Sequence, residues 1–226
     1  MHESIAQAIH AGYKRTILHQ IGSAMARYPD PPKTRKSWFK WAVNWWRVAP
    51  GSLVVDWYAP HGSAVTDRGK TWVNELAVIS PVRLHDEGSR VTWGFALVRI
   101  DAKHYTSEVT STRITLTDHV VERMMQRLDI SSPRDILIMI GDAVRRMPRS
   151  LIDIHAEEFA LPIGPGGALG AILVRNDREL GREIRVFSTF VARNQLYDNQ
   201  YTKMMAVYER HCRESTPLGT GVEYPK

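Results

Sequence analysis

Between residues 3 and 27 the apolar positions Ile5, Ala8, Ile9, Tyr13, Ile17, Ile21 and Met25 recur at three- and four-residue intervals. That is the period of one helical face, and Ser4 stands where a cap belongs. Pro29, Pro31 and Pro32 end the run. The basic, aromatic stretch from Lys33 to Arg47 follows, with Trp38, Trp41 and Trp45 at helical spacing and Lys36, Lys40 and Arg47 off their face. After Pro50-Gly51 the pattern shortens to β-rich runs: Leu53 to Tyr58, Val73 to Ile79, Val91 to Ile100, and Tyr105 to Leu116. Gly, Pro, Asp and Ser clusters separate them, and Asp86-Glu87-Gly88-Ser89 predicts a hairpin turn.

The helical period returns over residues 117 to 128. A second helix is predicted from Ser132, which can cap it, with Pro133 at the first helical position and Asp135 three beyond the cap. Its buried face is Ile136, Ile140, Ala143, Val144 and Met147. Three strands then read at 158 to 163, 168 to 175 and 183 to 191, the last two a hairpin across residues 176 to 181. A helix over 194 to 212 closes the chain. The pattern is that of an α+β protein. An N-terminal helix and β-rich region occupy residues 1–109, and two helices packed on an antiparallel sheet with the closing helix occupy 110–212. Residues 213–226 form a flexible tail. In the last strand alternation sends Ile184, Val186, Ser188 and Phe190 toward the helices, and Arg185, Phe187, Thr189 and Val191 to the other face.

Composition narrows the function classes. At 226 residues, with 43% hydrophobic and 24% charged side chains, the chain can bury a substantial core. A formal charge of +6 and a pI near 9.5 favour acidic partners such as nucleic acid. Cys212 is the single cysteine, so neither an internal disulfide nor a four-cysteine zinc site can form. His61, His85, His104, His119 and His155 lack ligand spacing. No metal or other cofactor is therefore expected. No apolar run has membrane-spanning length and the N-terminus does not read as a secretory signal. The expectation is no stable membrane insertion, and a cytoplasmic location or delivery into a target cell's cytoplasm. Gly164-Pro165-Gly166-Gly167-Ala168-Leu169-Gly170 lacks the Gly-Lys-Ser/Thr ending of a phosphate loop and reads as a strand connection.

Candidate chemistry lies on the helix over 117 to 128. His119, Arg123 and Arg127 fall at i, i+4 and i+8, one stripe of a helix. An imidazole moves protons near neutral pH, and guanidinium groups fit phosphate oxygens and keep their charge. On the last strand Arg185, Thr189 and Ser188, with Arg193 just beyond, supply guanidinium and hydroxyl groups for a phosphate and its transition state.

The H-x-x-x-R-x-x-x-R pattern of Thr117 to Arg127, ahead of a strand carrying Phe187-Ser188-Thr189-Phe190, resembles the toxin ribonucleases grouped with barnase, EndoU, colicin and RelE. The resemblance covers roughly residues 110 to 200. It implies a metal-independent endoribonuclease, a bacterial toxin or defence effector, in which a ribose 2′-hydroxyl attacks the adjacent phosphate to give a 2′,3′-cyclic phosphate. On it His119 is general base or acid, and Arg123 with Arg127 neutralises the phosphorane. Thr189, with Ser188 the rival, binds a phosphate oxygen; Arg185 and Arg193 help hold the substrate. No glutamate is evident on the strands as a partner base. The same residues also fit a non-catalytic nucleic-acid-binding or adaptor protein with a basic, Trp-rich surface. In either case the Trp38 to Trp46 segment is a candidate for docking a protein inhibitor or other partner.

Overall fold

The computed structural model describes residues 1–27, 29–48, 53–58, 73–83, 91–147, 151, 158–179, 182–195 and 198–214. The turn expected at Asp86 to Ser89, the tail from residue 215, and His61, His85 and His155 lie outside them. The fold is α+β. In chain order the elements are α1 (Glu3–Arg27), α2 (Arg35–Val48), β1 (Leu53–Tyr58), β2 (Val73–Arg83), β3 (Val91–Asp101) and β4 (Thr106–Leu116). Then follow α3 (Asp118–Leu128), α4 (Pro133–Arg146), β5 (Phe159–Ile163), β6 (Gly170–Glu179), β7 (Arg182–Ala192) and α5 (Asp198–Glu214). Among the described residues no helix is long and apolar enough to cross a membrane.

The seven strands form one sheet in the order β1-β2-β3-β4-β7-β6-β5. Neighbours are antiparallel, except that Ile114 to Leu116 of β4 pair in parallel with Arg185 to Phe187 of β7. The expected antiparallel meander of β5, β6 and β7 thus does not stand alone. A parallel neighbour needs a long crossover, and α3 and α4 begin it. The division expected near residue 110 falls inside β4, and the sheet runs straight through it. Helix α4 touches β1 and β5, the two edge strands, so the sheet curls around it.

β3 explains why there are two cores. Its pairing with β2 is unbroken from Val91 to Asp101, so its side chains alternate faces throughout. Trp93 and Phe95 join the main core with α1, α3 and α4, whereas Ala96, Val98 and Ile100 meet Trp38, Phe39 and Ala42 of α2 on the opposite face. The tryptophans of α2 are thereby engaged inside the molecule. Trp38 is buried, Trp41 Nε1 donates to the Pro29 carbonyl at 2.9 Å, and Trp46 Nε1 donates to Ser107 Oγ at 3.1 Å.

α1 lies antiparallel along α3, as the order of its contacts shows. Glu3 approaches Arg123 at 3.6 Å, His10 meets Glu122 at 3.3 Å, and Lys14 Nζ bonds both Asp118 oxygens at 2.9 and 2.8 Å. His10 is only 1% exposed. Trp93 Nε1 donates to its Nε2 at 3.0 Å. Because an indole N–H can only donate, Nε2 must accept; the ring proton therefore sits on Nδ1 and faces Glu122. Burial pushes the His10 pKa below its ordinary value, and the Asp118 and Glu122 carboxylates only partly oppose it.

A pH dependence follows from that direction. The unfolded chain takes up a proton on His10 as pH falls through about 6.5, while the fold keeps the ring neutral until a lower pH. His10 should contribute its full stability above pH ~6.5 and lose it progressively below that value. Urea unfolding of wild type and His10→Gln between pH 8 and 5 measures this. The wild type should lose more stability on acidification; equal slopes would remove His10 as the cause.

Candidate anion-binding cleft

Four fully buried side chains, Val120, Val121, Met124 and Met125, fix the roll of α3. The helix is also fastened to β7 at both ends. The Thr117 amide donates to the Phe187 carbonyl at 3.2 Å, and its hydroxyl lies 3.1 Å from the Phe187 and Ser188 carbonyls. At the far end Arg127 Nη1 donates to the Phe190 carbonyl.

β7 departs from simple alternation. Thr189 stands opposite Leu173 of β6 and Phe187 opposite Val174, which leaves Ser188 as an extra residue, a β-bulge. The bulge lets Phe187 and Phe190, three apart, both enter the main core. Ahead of the bulge, ordinary alternation keeps Arg185 on the same face as Phe187. Arg185 is 1% exposed, its guanidinium 5.5 Å from the centre of the Phe159 ring. The expectation that Arg185 and Thr189 share an outer surface is corrected: Thr189 lies with Leu173 on the opposite face, because the alternation slips by one residue at Ser188. Ser188 Oγ donates to the Leu173 carbonyl at 3.0 Å.

The stripe on α3 is likewise divided. His119 is exposed, with no hydrogen-bonded partner among the described residues. Arg123 Nη1 bonds Gln126 Oε1 at 2.9 Å and faces Glu3, so it fastens α1 to α3. Arg127 lies eight residues beyond His119, about 12 Å along the helix axis. One phosphate does not bridge that rise.

Arg127 meets Arg193 instead. An open cleft of about 660 Å³ has Arg127 and Leu128 of α3 on one side and Ala168 and Leu169, from the turn before β6, on another. Ala192, Arg193 and Asn194, where β7 runs out, complete it. The Arg193 guanidinium stacks 4.5 Å from the centre of the Tyr201 ring on α5. Tyr201 Oη in turn donates to the Gly166 carbonyl at 3.1 Å, so one tyrosine steadies both the arginine and the turn.

The glycine turn does not act as a phosphate loop. The amides of Gly167, Ala168 and Leu169 bond back to the carbonyls of Gly164, Pro165 and Ile163 at 3.2, 3.0 and 3.2 Å. The cleft's candidates for contact with an anion are therefore its arginines. Burial first, and the neighbouring Arg123 charge second, push the Arg127 pKa down, so its cationic form is under a load that an anion would relieve. Among the described residues no group of three His, Cys, Asp or Glu side chains is placed to hold a metal.

Of the predicted site residues the structure brings together Arg127 and Arg193, and leaves His119, Arg123, Arg185, Ser188 and Thr189 out of the cleft. Sequence reasoning missed Leu169, Asn194 and Tyr201. The first two follow or precede strand ends, where no periodicity marks them; Tyr201 carries only the helical pattern of α5. No known protein family, no curated protein and no solved structure matches this chain.

Gly167 tests the turn. Its φ is +74°, and a Cβ there would stand 2.0 Å from Tyr201 Oη. Gly167→Ala is expected to lower stability by about 1–3 kcal/mol through backbone strain and displacement of Tyr201. An unchanged urea midpoint would show that the turn does not lean on Tyr201.

Proposed function

We propose that this chain binds RNA and holds a backbone phosphate between Arg127 and Arg193. The observation that carries the reading is that these two arginines, from separate elements, line one open cleft of about 660 Å³. Each offers forked N–H donors to phosphate oxygens. The formal charge of +6 adds a general attraction to polyanions. The described residues lining the cleft are arginines, an asparagine and apolar side chains, groups that bind a phosphate rather than move its protons, which supports binding.

Metal-independent cleavage to a 2′,3′-cyclic phosphate is the second reading. The exposed His119 favours it, on the same helix as Arg127 and at the end fastened to the Phe187–Ser188 bulge. A strand held at the cleft and running back along α3 reaches that imidazole, which then acts as general base or acid.

Fluorescence anisotropy with a labelled single-stranded RNA, in EDTA and over a range of salt, tests both. Affinity should fall as salt rises, and Arg127→Ala and Arg193→Ala should each weaken binding by about tenfold, the scale of a charged hydrogen bond. Loss of neither would refute the phosphate site. Gel analysis of the same mixtures decides cleavage: product ends formed by wild type and abolished in His119→Ala establish the second reading, and intact RNA throughout removes it.

A further inference from the structure

We infer that the cleft seats one unpaired nucleotide whole, its base on Leu128 and Leu169 and its phosphate on the two arginines, and thereby selects single-stranded RNA. The inference rests on the RNA-binding reading above. The cleft is open rather than enclosed, and its volume of about 660 Å³ leaves room beside a phosphate for the sugar and base attached to it. The wall is apolar where a base would lie. Leu169 is 37% exposed, unusual for a leucine held on both sides. Its amide donates to the Ile163 carbonyl and its carbonyl accepts from the Arg193 amide, both at 3.2 Å. The backbone that carries this side chain is thus held in place at the cleft, and little main-chain ordering is left for a ligand to impose.

Asn194 completes the seat. Among the described residues it has no hydrogen-bonded partner, and its amide offers both donors and an acceptor, the combination that a base edge matches. Arg193, the residue before Asn194, is steadied by the Tyr201 ring at 4.5 Å. A base stacked within an A-form duplex cannot enter such a cleft, whereas a splayed base of a single strand can.

Anisotropy with four labelled probes tests this: a uridine octamer, an adenosine octamer, an octamer of abasic ribose phosphate, and the duplex of the two base-bearing strands. The abasic and duplex probes should each bind roughly tenfold more weakly than the better single strand, the scale of burying one apolar contact face. Leu169→Ala, at an exposed position, should narrow the gap between base-bearing and abasic strands. Abasic or duplex RNA bound as tightly as the single strands, or Leu169→Ala without effect, would overturn the nucleotide seat while the arginine site stands. No binding of any probe at low salt would overturn the RNA reading itself. Calorimetry with adenosine and uridine 5′-monophosphates separates the sources: a mononucleotide as tight as the octamer shows a seat for free nucleotides, against the proposal.

Discussion

Three residues of β4, Ile114 to Leu116, pair in parallel with Arg185 to Phe187 of β7, and this short join sets everything around it. It makes one sheet of two hairpin arrays, so the two ends of the sheet can share a core. It also determines where α3 goes. The chain leaves β4 at Leu116, and Thr117 is at once bonded to the carbonyls of Phe187 and Ser188, so the helix starts against β7. From that start the buried Val120, Val121, Met124 and Met125 leave it one way to lie. Arg127 then arrives beside the end of β7, where Arg193 emerges.

The contact between α1 and α3 works by a different principle. It brings polar groups together in a sequence no simple apolar stripe would specify: Arg123 with Glu3, Glu122 with His10, Asp118 with Lys14. Buried polar groups are costly unless each finds its partner, so a shift of α1 by one turn would leave His10 and Trp93 unsatisfied. The apolar contacts of Ala6 and Ile17 supply burial, while the polar set fixes register. The same polar set draws Arg123 out of the phosphate role that its spacing suggested.

Much of the fold was legible because local periodicity survives folding. The spacing over 3 to 27 and over 117 to 128, the Ser132-Pro133 start of α4, and the presence of the strands in both halves follow the pattern. β2, however, runs on to Arg83, and β6 to Glu179, through most of the turn expected over 176 to 181. What was not legible is non-local. The parallel join of β4 to β7 leaves no mark on either strand's composition. The bulge is subtler: Ile184 to Phe190 alternate convincingly on paper, and one extra residue at Ser188 parts Thr189 from the face of Arg185 without changing a letter. For the same reason the site was only half readable. The arginines were named from their chemistry, but which of them meet depends on the helix roll, the bulge and a turn held by Tyr201.

Arg127 carries both structure and recognition, and that ties them together. One of its N–H groups holds the Phe190 carbonyl and so closes the far end of α3 on β7. The same residue lines the cleft. Its positive charge sits partly out of water and beside Arg123, an arrangement that water alone compensates poorly. On the proposed reading an anion at the cleft compensates it directly, and binding and the packing of α3 are then linked through one side chain, so that RNA at the cleft stabilises the fold by mass action.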